Sequence, residues 1–303
     1  MKRTLSSGNA NPTGPGGMYQ RPSPADSAPA AGQPAVSSRP EKSDLHGFER
    51  YRYLAEESAA VAGDAQAQLR LAARYALGTG IAMDQARAAE WLGKAAAQGL
   101  AAAQFNLGLR YQRGRGVPKD DARAFEWFGK AAAQGLATAQ GNLAVMYKQG
   151  RGITRDCTKA FEWTEKAAVQ GLATAQGNLG IMYAKGHGVA KDETKAFEWF
   201  GKAAAQGFVP AQNELGTRFA NGLGVARDVA KAFEWFDKAA RQGDAPAQCN
   251  LGIMYLHGKG VSADAAMAFE WFGKAAAQGD ARAQRNLDVM REQGRGGGRG
   301  NGM

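Results

Sequence analysis

The sequence predicts an all-α fold, a solenoid in which pairs of helices repeat every 36 residues. The main observation is the spacing of the tryptophans, each of which lies 36 residues after the last, and glycines keep the same step from Gly63 to Gly279. A fixed period of about 20–50 residues is typical of proteins in which each unit covers the hydrophobic face of its neighbour. We therefore expect one elongated body instead of two ordinary domains. The six tryptophans are Trp91, Trp127, Trp163, Trp199, Trp235 and Trp271.

The chain begins with a segment that cannot form a core. Residues 1–44 are rich in Pro, Gly, Ser and Ala, with single scattered apolar residues, which predicts a disordered tail. Helical spacing of apolar residues then predicts an N-terminal capping helix over residues 45–63, where Ala55 takes the place of the repeated tryptophan.

Each complete unit is predicted to contain two helices, as the unit 100–135 illustrates. Its first helix carries an apolar stripe that includes Leu107 and Tyr111, and Gly108 beside them allows another helix to approach closely. Two glycines in the following turn supply the positive backbone angles of a helix stop. Asp120 is placed to cap the second helix, which carries Trp127.

Six such repeats are expected over residues 64–279. A final lone helix over residues 280–292 follows them, and residues 293–303 form a flexible Arg/Gly tail.

Composition excludes several classes of protein. No stretch is apolar enough to span a bilayer, and the basic start lacks the apolar core of a secretory signal, so we expect no membrane partner and no Sec-type export. Cys157 and Cys249 lie in separate units, which predicts free thiols and a cytoplasmic location. Of the net charge of +10, the two ends carry +2 each and the remaining +6 is spread over the six repeats, so it forms no basic patch and does not favour a nucleic-acid partner.

The repeated words Ala-x-x-x-Leu-Gly-x-x-Tyr, Gly-x-Gly-Val-x-x-Asp and Ala-x-Glu-Trp-Phe-x-Lys-Ala-Ala-x-Gln-Gly resemble Sel-one-like repeats over about residues 47–292. That family is a branch of the tetratricopeptide-like α-solenoids. The resemblance implies a right-handed superhelix of antiparallel helix pairs. It also implies an adaptor or scaffold that holds other proteins together, in settings that include bacterial signalling and host interaction.

By the same resemblance, the first helix of each pair lines a concave groove that holds a ligand. The residues at these places differ between units, and their small or apolar floor with a basic rim suits a peptide that carries acidic residues. The alternative is a solvated face without a ligand. We call the following twelve residues the groove positions: Phe105, Leu109, Arg113, Val145, Lys148, Ile181, Lys185, Asn213, Thr217, Ile253, Leu256 and His257.

Three further series recur with the period. Asparagines such as Asn142 and Asn250 are predicted to bond across neighbouring helices, with a ligand clamp as the alternative. Phenylalanines such as Phe125 are predicted to pack in the core, with a partner surface as the alternative. Glu90 and Lys94, like their equivalents, have the spacing of ion pairs on a helix surface.

No catalytic constellation is evident, so we expect no enzymatic activity, no cofactor and no metal. The three histidines lie in different parts of the chain, and the Gly-x-Gly words follow no strand and are turns. The favoured function is a protein-binding adaptor. The alternatives are a delivered bacterial effector, suggested by the Ser/Pro-rich start and exported by a specialised system, and a nucleic-acid-associated protein that uses the Arg/Gly tail.

Overall fold

The computed structural model describes residues 42–295, and their side chains from residue 51 onward. That part of the chain contains fourteen α-helices and no strand. It divides into two compact units, with the boundary between Asp156 and Cys157. An all-α solenoid of helix pairs is thereby confirmed, whereas the handedness of a superhelix stays a prediction.

Unit 1 contains six helices, which are α1 (Lys42–Val61), α2 (Ala65–Leu77), α3 (Gln85–Ala97), α4 (Ala101–Arg113), α5 (Asp121–Ala133) and α6 (Ala137–Gln149). Unit 2 contains eight, which are α7 (Cys157–Val169), α8 (Ala173–Lys185), α9 (Glu193–Ala205), α10 (Val209–Asn221), α11 (Val229–Arg241), α12 (Ala245–His257), α13 (Ala265–Ala277) and α14 (Ala281–Glu292). The capping helix begins at Lys42, three residues earlier than predicted, and α14 is the expected final lone helix. The predicted disordered segments lie almost wholly outside the described residues.

Close approach of the two helices in a pair depends on the repeated glycine. A Cβ added at Gly108 in α4 would lie 2.8 Å from the ring of Phe128 in α5, and Gly180, Gly216 and Gly252 stand equally close to a phenylalanine of the following helix. Phe128 is fully buried as a result. In the first pair Ala72 takes the glycine's place, and the smaller Leu92 takes the ring's place.

The turns and caps follow the predicted chemistry. Gly114 and Gly116 adopt positive φ angles of 67° and 73° after α4. The Asp120 carboxylate then accepts a hydrogen bond of 2.9 Å from the backbone N–H of Arg123, which satisfies a free amide at the start of α5. The same bond caps α3, α9, α11 and α13.

A chain of glutamine side chains, which the sequence analysis missed, joins successive helices. The buried Gln104 donates to the carbonyl of Ala96 at the end of α3 and accepts a bond of 2.8 Å from Gln134 at the end of α5. These bonds give buried carbonyls at helix ends the partners that water cannot supply. The glutamine pairs that repeat this arrangement are Gln68–Gln98, Gln176–Gln206, Gln212–Gln242 and Gln248–Gln278.

The expected surface ion pairs are mostly replaced by contacts with tryptophan. Lys94 lies 3.9 Å from the centre of the Trp91 ring, and the equivalent lysine of every later repeat lies 3.8–4.8 Å from its own tryptophan. Among the described residues only Glu270 and Lys274 form the predicted i, i+4 pair in this series. The indole ring is three residues from the lysine and attracts the ammonium over its face, so it competes with the carboxylate.

Candidate functional site

The groove positions of unit 1 lie on two helices. On α4, Leu109 is half-buried and Arg113 is exposed, while the Phe105 ring packs 5.6 Å from the Phe128 ring. On α6, Val145 is half-buried and Lys148 is exposed. Phe105 therefore contributes to packing within the pair, and the other four keep surface that a ligand could reach.

The groove positions of unit 2 also range from partly buried apolar side chains to exposed basic ones. Ile181 packs against the core around Leu179 and Phe200, and Ile253 and Leu256 pack against the core around Phe272. Lys185 and His257 are exposed at the ends of α8 and α12. The apolar residues are thus partly engaged in the fold, while the basic side chains are free of it.

Neighbouring first helices in unit 2 are joined by polar side chains. The Asn250 amide on α12 donates a bond of 3.0 Å to the side-chain oxygen of Asn213 on α10. Within α10, the Thr217 hydroxyl donates to the Asn213 carbonyl. Asn250 thus forms the predicted bond across neighbouring helices, whereas Asn142 donates 2.8 Å to the Thr138 carbonyl of its own helix. The phenylalanine series also packs as predicted, since Phe125 meets Tyr147 edge to face at 5.2 Å and Phe161 meets Tyr183 at 5.4 Å.

Unit 1 contains a cleft of about 60 Å³ between α2, α3 and α4. Its apolar walls come from leucines and alanines, and its polar groups include three arginine side chains and no carboxylate. Two groove positions, Leu109 and Arg113, belong to this cleft. We name it the Arg110 cleft, and its lining residues are Leu69, Ala72, Ala73, Ala76, Leu77, Gln85, Leu92, Asn106, Leu109, Arg110, Arg113 and Arg115.

Arg110 is the buried charge of this cleft, with 9% of its surface exposed. Its Nη1 donates 3.0 Å to the Gln85 side-chain oxygen, and longer bonds reach the carbonyls of Gln85 and Arg115. All three acceptors are neutral, and no described carboxylate forms an ion pair with this guanidinium. Burial lowers the pKa of Arg110, and the neighbouring Arg115 charge lowers that pKa further.

The loop after α4 is held against α3 by a glycine. A Cβ on Gly116 would overlap the Gln85 carbonyl oxygen, so only glycine lets the loop lie on the start of α3. Because Arg115 precedes this glycine, the close approach brings Arg115 to the lining of the cleft, where its carbonyl accepts a bond from Arg110. The repeated Gly-x-Gly motif therefore forms a close backbone contact between successive repeats as well as a turn.

Sequence reasoning identified Leu109 and Arg113 but missed Arg110, Arg115 and Gln85. A signal was present, because Arg74, Arg110 and Arg218 occupy one place in the repeat, and Met146, Met182, Met254 and Met290 fill the same place elsewhere. A charged residue at a place that is otherwise apolar indicates a special environment.

The described residues hold no group of three His, Cys, Asp or Glu side chains that could bind a metal ion. Both cysteines are free, and burial raises the pKa of the Cys249 thiol. No helix in residues 42–295 has the length and apolar character needed to cross a membrane.

The repeats match a known family profile. The Sel1 repeat profile matches six consecutive segments, residues 65–100, 101–136, 137–172, 173–208, 209–244 and 245–280. No curated protein matches the chain significantly.

Two similar solved structures are informative. One is a protective antigen present in uropathogenic Escherichia coli strains, with an SLR fold; it is 41% identical with a TM-score of 0.76, over 80% of this chain and 52% of that chain. The chain thus spans about half the length of that relative. The other is a Sel1 repeat protein from Oxalobacter formigenes, 33% identical with a TM-score of 0.65, over 68% of this chain and 85% of that chain.

Proposed function

Since the chain belongs to the Sel1 repeat family, whose members are generally scaffolds for protein–protein interaction, we propose that it is a non-enzymatic scaffold that binds a peptide segment of a partner protein. The segment docks on the groove positions of the first helices. The setting we propose is bacterial signalling or regulation in the cytoplasm.

The observation that carries this proposal is the contrast between fixed and variable residues of one helix. Along α4, α6, α8, α10 and α12, the residues that pack in the core repeat almost unchanged, whereas the groove positions change from unit to unit. The variable places keep exposed basic side chains, Arg113, Lys148, Lys185 and His257, beside half-buried apolar ones. Apolar contact combined with positive charge favours an amphipathic segment with acidic residues.

A delivered effector that binds host proteins is the second candidate, supported by the composition of residues 1–41 and by the similarity to an antigen of a pathogenic bacterium. It differs from the first in the place of action and not in the chemistry of binding. A nucleic-acid role through the Arg/Gly tail is a third candidate, which rests on residues outside the described part of the chain.

The test is a pull-down from nuclease-treated lysate with the full chain, at low and high salt. The key variant carries Arg113→Glu, Lys148→Glu and Lys185→Glu, all at exposed groove positions. Its matched control reverses three exposed loop residues, Lys119→Glu, Arg155→Glu and Lys259→Glu, so that the net charge changes equally.

We expect a protein that the wild type and the control retain in high salt and that the groove variant loses. Retention by all three chains would place the binding surface elsewhere. A binding partner that is lost from every chain after nuclease or salt would support the nucleic-acid alternative, because phosphate contacts weaken steeply with salt.

A further inference from the structure

We propose that the Arg110 cleft binds a carboxylate carried by the partner's peptide segment, so that the ligand supplies the negative charge which Gln85 does not. This inference rests on the scaffold function proposed above and names the chemistry of one subsite within it.

Two arginines at equivalent places differ in how their charge is compensated. Arg218 is 3% exposed and forms a bond of 2.7 Å with the Glu193 carboxylate, 25 residues before it. Arg110 stands at the same place in its repeat, and the residue 25 before it is the neutral Gln85. A buried guanidinium without an ionised partner loses hydration that neutral acceptors replace only in part.

The two arginines also differ in their aromatic neighbour. Arg218 lies 4.8 Å from the centre of the Phe200 ring, which stabilises the cation from a second side. The equivalent residue beside Arg110 is Leu92, which has no ring and is smaller. Arg110 is buried as well, but an aliphatic side chain that lines the cleft stands where Arg218 has the face of a ring.

The size and walls of the cleft fit a small acidic group next to an aliphatic one. The space of about 60 Å³ exceeds the roughly 10–15 Å³ that one water needs, so it has room for a group larger than a water. Leu77, with 57% of its surface exposed, lines the same cleft and offers apolar contact beside the charge. Arg113 and Arg115 add positive charge to the cleft, and guanidinium groups bind carboxylates in a bidentate geometry.

The carboxylate can come from an Asp or Glu side chain or from the end of a peptide. We would probe the full chain with an array of acetylated twelve-residue peptides that place leucines at helical spacing. Each is made with one central Glu or Gln and with a free or amidated C terminus. We expect about tenfold weaker binding where the carboxylate is replaced by its amide, since the loss of one hydrogen bond to a charged group lowers an affinity by about this factor.

Three variants localise the effect. Gln85→Glu supplies an internal counter-charge, and Arg110→Met installs the residue that three other repeats and the final helix carry. Both substitutions are expected to weaken binding of the peptide that carries the carboxylate about tenfold and to leave binding of its amide counterpart unchanged. Arg218→Met is the matched control, because it removes an equally buried arginine whose charge is already paired, and it should not change binding.

Thermal melts separate misfolding from lost recognition. Arg110→Met is expected to melt at or above the wild-type temperature, because it replaces an uncompensated buried charge by an apolar side chain. Equal binding of the Glu and Gln peptides, with equal binding at both C termini, would overturn the proposal, as would full binding by Gln85→Glu. A partner that both cleft variants retain but the triple groove variant loses would leave the scaffold function standing and remove only this subsite.

Discussion

Arg110 in unit 1 and Arg218 in unit 2 occupy the same place in the repeat but have different surroundings. Arg218 has a carboxylate, Glu193, and a ring face, Phe200, whereas Arg110 has Gln85 and Leu92 in those two places. The close backbone contact is the same in both, since Gly116 lies on Gln85 as Gly224 lies on Glu193. One scaffold geometry thus gives a closed structural ion pair in one repeat and an open basic cleft in another.

This difference shows how a repeat protein can change the surroundings of one buried side chain without a change of fold. The glycine–phenylalanine contact, the aspartate caps and the glutamine chain recur in both units and hold the helices in place. Differences at two side chains, Gln85 in place of Glu193 and Leu92 in place of Phe200, then leave a buried arginine without a carboxylate or a ring face. The carboxylate subsite proposed above therefore lies at a departure from the repeat.

The largest difference between the two regions concerns the residues beside the arginines. Phe200→Ala is expected to lower the free energy of unfolding by about 4 kcal/mol, because a fully buried ring is lost. Leu92→Ala should cost about 2 kcal/mol, since fewer atoms are removed and they border an existing space. Urea unfolding followed by tryptophan fluorescence measures both values, and equal losses would contradict the view that unit 1 is open at this place.

The caps and turns were predictable because each depends on residues close together in the chain, and the period and the close glycine were predictable because they recur in successive units. The cleft was not, because Gln85 and Arg110 are 25 residues apart and meet only when two repeats stack. The lysine prediction failed for a related reason. Lys94 has a tryptophan three residues away and a glutamate four residues away, and spacing alone does not rank the two partners.

The next largest effect on the free energy of unfolding is expected when Arg218 is given the neutral neighbour that Arg110 has. Glu193→Gln leaves Arg218 buried without its carboxylate, and we expect a loss of about 1 kcal/mol, moderated because the Glu193 side chain is 28% exposed. Glu198→Gln on the same helix is the control, since Glu198 is exposed and its substitution should be nearly neutral. Equal stability of the two variants would mean that Arg218 does not need a counter-charge.

The same pair predicts a pH dependence. Hydrogen bonds from Lys191 and then from Arg218 lower the pKa of Glu193 below its ordinary value of 4.5. A lowered folded-state pKa contributes stability that is fully present above 4.5 and is lost as the pH falls through the folded value. The stability difference between wild type and Glu193→Gln should therefore be constant from pH 7 to pH 5 and disappear on further acidification. A difference that stays the same down to pH 3 would exclude the carboxylate as its source.

The smallest effect is expected for the reverse change, Gln85→Glu in unit 1. The new carboxylate gains an ion pair with Arg110, yet Met83 stands where unit 2 has Lys191, so one of the two partners of Glu193 is missing. The substitution also removes the bond of 2.9 Å that the Gln85 amide donates to the Ala76 carbonyl, because a carboxylate has no N–H to donate. We expect a net gain below about 0.5 kcal/mol, measured by urea unfolding at pH 7. Adding Met83→Lys should raise that gain, because the new carboxylate would then have both of the partners that Glu193 has. If the double variant is no more stable than the wild type, residues other than these neighbours must account for the difference between the two arginines.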